Sequence, residues 1–207
     1  LQGDWSSDVC SSDLQKGKKE IVEPLLKNKA SIDLQDNDGF TALMCAAQNC
    51  HTEIVNLLLQ NKASPDLQDN DGFTALMIAA QNGHTKNVNL LLENKASIDL
   101  QDNDGFTALM IAAQNGHKDI VTALINKGAN IEATDKYQNT ALHYAAIFDH
   151  TEIVNLLLQN KASLDLQDKN GFTALMCAAQ KGHADTVNLL LQNKASPDLK
   201  NNNGFTA

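Results

Sequence analysis

Residues 72–104 read GFTALMIAAQNGHTKNVNLLLENKASIDLQDND, and the rest of the chain largely restates this unit. Gly39, Gly72, Gly105, Gly171 and Gly204 fall on a strict spacing of 33 residues, with Gln138 at the one missing place in the series. Self-similarity at a fixed period of this size is the mark of a stacked repeat architecture. Five units are complete, beginning at residues 39, 72, 105, 138 and 171.

Within the quoted unit, Thr74 can cap a short helix whose apolar members Leu76, Met77, Ala79 and Ala80 recur at helical spacing. The alanines allow a neighbour to approach closely. Gly83 supplies a left-handed turn that ends this helix, and a second helix follows with Val88, Leu90, Leu91 and Leu92 on its inner side. Residues 96–104 are rich in turn formers and too short for a third helix, so they read as an extended loop or hairpin joining units. A helix pair of this size cannot bury its own apolar face, so adjacent units must stack into a solenoid.

The period, the Thr-Ala-Leu-Met-x-Ala-Ala run that begins at Thr74 and the Gly-His-x-x-x-Val-x-Leu-Leu-Leu run that begins at Gly83 resemble ankyrin repeats. The resemblance covers about residues 15–207 and implies an all-α fold, an ankyrin-repeat solenoid of helix-turn-helix units joined by hairpin loops. The family pattern Thr-Pro-Leu-His becomes Thr-Ala-Leu-Met in four units, and only Thr140-Ala141-Leu142-His143 keeps the histidine. Loss of the preset proline φ at the first helical position is a small cost. On this reading residues 15–38 are a partial repeat, 39–203 are five repeats and 204–207 begin a truncated one. Residues 1–14 (LQGDWSSDVCSSDL) supply no proper first helix and read as a non-repeat segment, a foreign junction with no bearing on function. Pro24 stands where four of the five complete units carry Leu and predicts a shortened or kinked helix. With no polar terminal repeat visible at either end, the sequence is expected to be a fragment of a longer array or protein.

The composition narrows the function classes. Sixteen Lys and Arg against 25 Asp and Glu give a formal charge of -9, which repels phosphate backbones and argues against nucleic acid as a partner. No run approaches the ~18 apolar residues of a membrane span, and the N-terminus lacks the order of a signal peptide, so no membrane insertion is expected. Cys10, Cys45, Cys50 and Cys177 form neither a Cys-x-x-Cys pair nor an even framework, which suits an intracellular protein, cytoplasmic or nuclear.

The residues that invite a chemical reading have structural ones beside it. His51, His84, His117, His150 and His183 share one repeat position, where the side chain can bond to loop backbone. Stacking would hold equivalent atoms ~10 Å apart, too far to share a metal. The run Asp69-Asn70-Asp71-Gly72 suggests a calcium loop, but the ligand positions before and after it fall on Leu67 and Ile78. It reads instead as a turn in which Asp and Asn bond their own backbone. Cys45 and Cys177 replace Ile78 and Ile111 of sister units and read as core residues, whereas Cys50 replaces a turn glycine and should be more exposed. No catalytic residue, metal site or cofactor is expected.

Residues that build the repeat must recur, so the positions that do not recur carry the functional information. The family resemblance implies that ligands contact the hairpin tips and the exposed side of the first helix, which together form a concave face. Mapped here, the tips give Phe40, Asn70, Asp71, Phe73, Asp104, Phe106, Tyr137 and Phe172. The first-helix ends give Gln81, Asn82, Gln114, Asn115, Ile147, Phe148 and Gln180. Aromatic anchors among amides and carboxylates suit protein recognition, although each Phe can instead stiffen the edge by leaning on the neighbouring loop. The fourth unit departs most from the pattern, with Tyr137, Gln138, Asn139 and Tyr144, and with Ile147-Phe148-Asp149 in place of Gln-Asn-Gly. Its Asp149 must adopt the left-handed turn at a cost of ~1 kcal/mol. The expected function is a non-enzymatic protein-binding scaffold whose partner carries a basic component. The alternatives are the targeting arm of a larger enzyme or channel, and a spacer.

Overall fold

A computed structural model of the chain describes residues 19–28 and 31–207, so the non-repeat segment 1–14 lies outside the described residues. Each complete repeat opens on a threonine in extended conformation, Thr74 for example at φ -95 and ψ 166, which leaves its side chain free to cap the helix. Thr41, Thr74, Thr107 and Thr173 Oγ1 accept the N–H of Met44, Met77, Met110 and Met176 at 3.2 to 3.3 Å. Each such bond satisfies an N–H that the first turn cannot pair, and removing one costs about 1 kcal/mol.

The capped helices come in antiparallel pairs, and they divide between two compact units, the first ending at Asn103 and the second beginning at Asp104. The first unit contains α1 (Lys19–Lys27), α2 (Ala42–Gln48), α3 (Thr52–Gln60), α4 (Ala75–Gln81) and α5 (Thr85–Glu93). The second contains α6 (Ala108–Gln114), α7 (Lys118–Asn126), α8 (Ala141–Ile147), α9 (Thr151–Gln159), α10 (Ala174–Lys181) and α11 (Ala184–Gln192). Within each unit, first helices pack on first helices (α2 on α4; α6, α8 and α10 in order) and second helices on second helices. No strand occurs among the described residues. The fold is thus the all-helical repeat stack anticipated from the period.

Close packing follows from small side chains on the first helices. Ala46, Ala47, Ala79, Ala80, Ala112, Ala113, Ala145 and Ala146 are fully buried. On the second helix of the quoted repeat, Val88 and Leu91 are buried, but Leu90 and Leu92 are only half-buried flanks, so the inner side is narrower than the leucine run suggests. That geometry also accounts for Pro24, which holds the position of Leu57 and Leu90. The place faces partly outward, and α1 keeps the same nine residues as the other second helices rather than being shortened.

The loops fix the register between repeats. In the first unit the Asn70 N–H donates to the Asp38 carbonyl and the Asn103 N–H to Asp71, both at 3.0 Å. In the second unit Lys136 donates to Asp104 (2.9 Å), Lys169 to Tyr137 (2.9 Å) and Asn202 to Asn170 (3.0 Å). Asp69 Oδ1 accepts from the N–H groups of Asp71 (3.0 Å) and Phe73 (2.8 Å), the self-bonded turn expected of the Asp-Asn-Asp-Gly run. Each tip therefore folds on itself and then docks one backbone bond onto its neighbour.

Gly72 shows how tight that docking is. Its φ is +86, and a Cβ there would lie 2.7 Å from the Asn103 backbone nitrogen, which no side chain could vacate. Gly128 also has positive φ, +89, but a Cβ would meet nothing within 4 Å, and Lys62, Lys95, Lys161 and Lys194 hold the same repeat position at φ +66 to +71. Accordingly Gly72→Ala should lower stability by roughly 2–4 kcal/mol, combining left-handed strain with displaced backbone. Gly128→Lys should stay within about 0.5 kcal/mol of the parent. Urea unfolding followed by circular dichroism distinguishes the two.

Candidate functional site

The recurrent histidines are structural. His84, His150 and His183 point Nε2 at the Gln48, Gln114 and Ile147 carbonyls of the preceding repeat, each at 3.0 Å. A carbonyl only accepts, so Nε2 carries the proton. The target is the end of the preceding first helix rather than loop backbone, and the bond covers one of the carbonyls that a helix terminus leaves unpaired. No group of three or more His, Cys, Asp or Glu side chains suited to a metal ion occurs among the described residues. Burial pushes the Cys177 thiol up to about 12, which leaves it protonated and a poor nucleophile.

The proposed contact residues fall into three groups. Some of them are occupied in holding the repeat together. Asn70 Nδ2 donates to the Asn37 carbonyl at 2.9 Å, and the Asn82 and Asn115 amides cap their own helices through Ile78 and Ile111, both at 2.8 Å. Asp104 pairs with Lys136 at 2.6 Å. Phe40, Phe73, Phe106 and Phe172 are half-buried, and Phe106 packs on Tyr144 with ring centroids 4.9 Å apart. Others, Asp71, Gln81 and Gln180, are exposed, while Gln114 and Ile147 are half-buried. The third group is aromatic and open to solvent: Tyr137 is 51% exposed at its tip, beneath the Lys136 ammonium at 5.0 Å, and Phe148 is 47% exposed at the end of α8.

Charge is unevenly distributed over these tips. In the first unit the exposed charges at the tips are Asp38 and Asp71, whereas the second unit has, along with an exposed Asp104, exposed Lys169 and Lys200 in its loops and Lys181 at the end of α10.

The fourth repeat is rebuilt around its substitutions. Gln138 takes the tip glycine position at φ 67 and Asp149 the turn glycine position at φ 59. The Asp149 carboxylate accepts from Thr186 Oγ1 at 2.9 Å and lies 3.7 Å from His183 Nδ1, contacts that offset the backbone cost. Asp135 is buried, accepting from Tyr144 Oη at 2.5 Å and from the backbone N–H groups of Tyr137 and Asn139 at 2.8 Å. A cavity of about 430 Å³ opens beside Asn139, Ile147, Phe172 and Cys177. The sequence proposed Ile147, Phe172 and Gln180 as contacts, marked Asn139 only as a departure of the fourth unit and Cys177 only as a core residue, and passed over Lys181. The signal for the last three was the pairing of positions between one repeat and the next, which a single-repeat reading does not use.

His143 is the remaining departure and is 1% exposed. Its Nδ1 accepts from the Thr140 N–H at 3.2 Å and its Nε2 donates to the Phe172 carbonyl at 3.1 Å, tying the fourth repeat to the tip of the fifth. Burial lowers its pKa below the usual histidine value, and the Phe172 carbonyl opposes this in part. The unfolded chain binds that proton near pH 6.5 while the folded one does not. The contribution of His143 is therefore complete above about pH 6.5 and is lost as pH falls through the lower, folded value. Four sister repeats carry Met here, so His143→Met should fold. It should also flatten the fall of the unfolding free energy from urea titrations between pH 7.5 and 5 by up to about 1.4 kcal/mol per pH unit. An unchanged pH profile in H143M would contradict a neutral, buried imidazole.

Two family models match the sequence. The one described as ankyrin repeats (3 copies) matches residues 10–102 and 90–168, and the one described as ankyrin repeat matches residues 170–202. No curated protein is matched by the chain.

Proposed function

Because the chain belongs to the ankyrin-repeat family, whose repeats are generally protein-protein interaction modules, we propose that it is a non-catalytic scaffold that binds a partner protein along its hairpin tips and first helices. The observation that carries this reading is the exposure of Tyr137 and Phe148 at a tip and a first-helix end, where the packing of the repeat requires neither ring. Exposed aromatics of this kind are enriched among the residues that dominate protein interfaces. The amides and carboxylates around them supply an adaptable polar rim. A basic segment of the partner would meet the exposed Asp38 and Asp71 in the first unit. The histidines and Cys177, which are the side chains best suited to chemistry, are committed to structural bonds or held protonated, in keeping with binding without turnover.

The test substitutes Tyr137→Ser together with Phe148→Ser. Both side chains are exposed, so urea unfolding should change by less than about 0.5 kcal/mol. Proteins captured on the immobilised wild-type chain from an extract of its source cells should be lost on the double variant. Partners purified from that set should bind with a Kd at least roughly tenfold weaker than to wild type. An undiminished captured set would sink the proposed face.

A further inference from the structure

The cavity beside Asn139 is explained by a pair of substitutions in successive repeats. Phe106 lies on Tyr144, the first-helix residue of the following repeat. Moving both positions on by one period of 33 residues gives Asn139 and Cys177, and these two residues line the cavity together. Where the preceding junction has a phenyl ring on a phenol, this one has a carboxamide and a thiol. The space is therefore that of the missing ring pair. Ile147 stands on its wall in place of the Gln of sister repeats, and Phe172 forms another side, so the lining is apolar where a ring would sit.

The polar groups around the opening set the chemistry of what can enter. Asp168 contributes a carboxylate, but its Oδ1 already accepts the N–H groups of Asn170 and Phe172, each at 2.8 Å. Lys181 lines the opening, replaces the helix-capping Asn of the first three repeats, and has no ion-pair partner among the described residues. Lys169, next to Asp168, is exposed as well. The opening thus sets the Lys181 ammonium, with no carboxylate paired to it among the described residues, beside an apolar wall, while the Asp168 carboxylate is turned onto its own loop backbone. The Gln180 amide is available to an extended backbone.

We propose that this cavity is an anchor site for an extended segment of a partner protein that presents an aromatic side chain next to an Asp or Glu. The inference rests on the scaffold reading and deepens it: the ring replaces the one missing from position 139, and the neighbouring carboxylate pairs with Lys181. The acidic residue that Lys181 would take is the opposite of the basic segment suited to Asp38 and Asp71 in the first unit, so one partner segment would not satisfy both.

A library of random seven-residue peptides displayed on phage is panned on the full chain, and enriched peptides are synthesised and titrated by fluorescence anisotropy. Enrichment of an aromatic residue adjacent to Asp or Glu is expected. Asn139→Phe restores the residue that four sister repeats carry and fills the cavity, so it should keep the fold, checked by urea unfolding, while weakening these peptides by roughly tenfold or more. Lys181→Glu, at an exposed position, should weaken them by about fivefold and shift selection toward basic neighbours. Peptides without the aromatic-acidic pairing, equal binding to N139F, or no enrichment at all would each overturn the proposal. A natural partner that loses binding to the Tyr137 and Phe148 double variant but not to N139F would leave the scaffold reading standing and remove only this anchor.

Discussion

None of the described helices exceeds nine residues, and helices of this length are not stable alone in water. Everything else depends on the approach of one first helix to the next, which the fully buried alanine pairs permit. A larger residue at Ala79 or Ala112 would separate the backbones, and the tips, docked by a single backbone bond per repeat, would fall out of register with it. Thr caps, His-to-carbonyl bonds and positive-φ glycines all hold that spacing. They recur because the stacking constraint recurs.

A consequence is that side chains near the junctions are matched across repeats rather than within them. Gly116 leaves room for the His150 ring, to which a Cβ would come within 2.7 Å, and Ile153 follows. In the next copy Asp149 replaces the glycine, Thr186 replaces the isoleucine, and the two bond to each other. Cys50 and Asn87 hold the same two places in the first unit, where Asn87 donates to the Ala47 carbonyl at 3.3 Å and leaves its own Oδ1 without a partner among the described residues. Replacement of the turn glycine thus coincides each time with a polar residue in the facing repeat. The Phe106–Tyr144 contact and the Asn139–Cys177 gap obey the same cross-repeat logic.

The period and its caps made the fold legible from the sequence, because a motif such as Thr74-Ala75-Leu76-Met77 states local propensity and burial together. The left-handed backbone at Asp149 was legible for the same reason: its sisters at that position are mostly Gly. Less was legible where identity depends on a neighbour 30 or more residues away. Asn70, Asn82 and Asn115 looked free in the sequence, yet their amides are spent on backbone carbonyls. Phe106 read equally as a contact aromatic and as a ring that stiffens the edge, and its packing partner, Tyr144, was not legible. The Pro24 position looked disruptive only because the outward tilt of its helix face is a tertiary property.

The fourth repeat concentrates departures that a free-standing helix pair could not carry. Two non-glycine residues at positive φ cost about 1 kcal/mol each, and a buried imidazole adds a further cost below its unfolded pKa. In a stack whose stability is a sum of repeat and interface terms, neighbours closer to consensus in the same unit can hold such a repeat in place. His143 assists this by bonding forward to Phe172, and Asp149 by bonding forward to Thr186. The repeat is therefore anchored through its connections to the next one, while side chains that take no part in those connections, those of Tyr137, Asn139 and Phe148, are available to vary. A repeat array can in this way place recognition in one copy without weakening the scaffold that presents it.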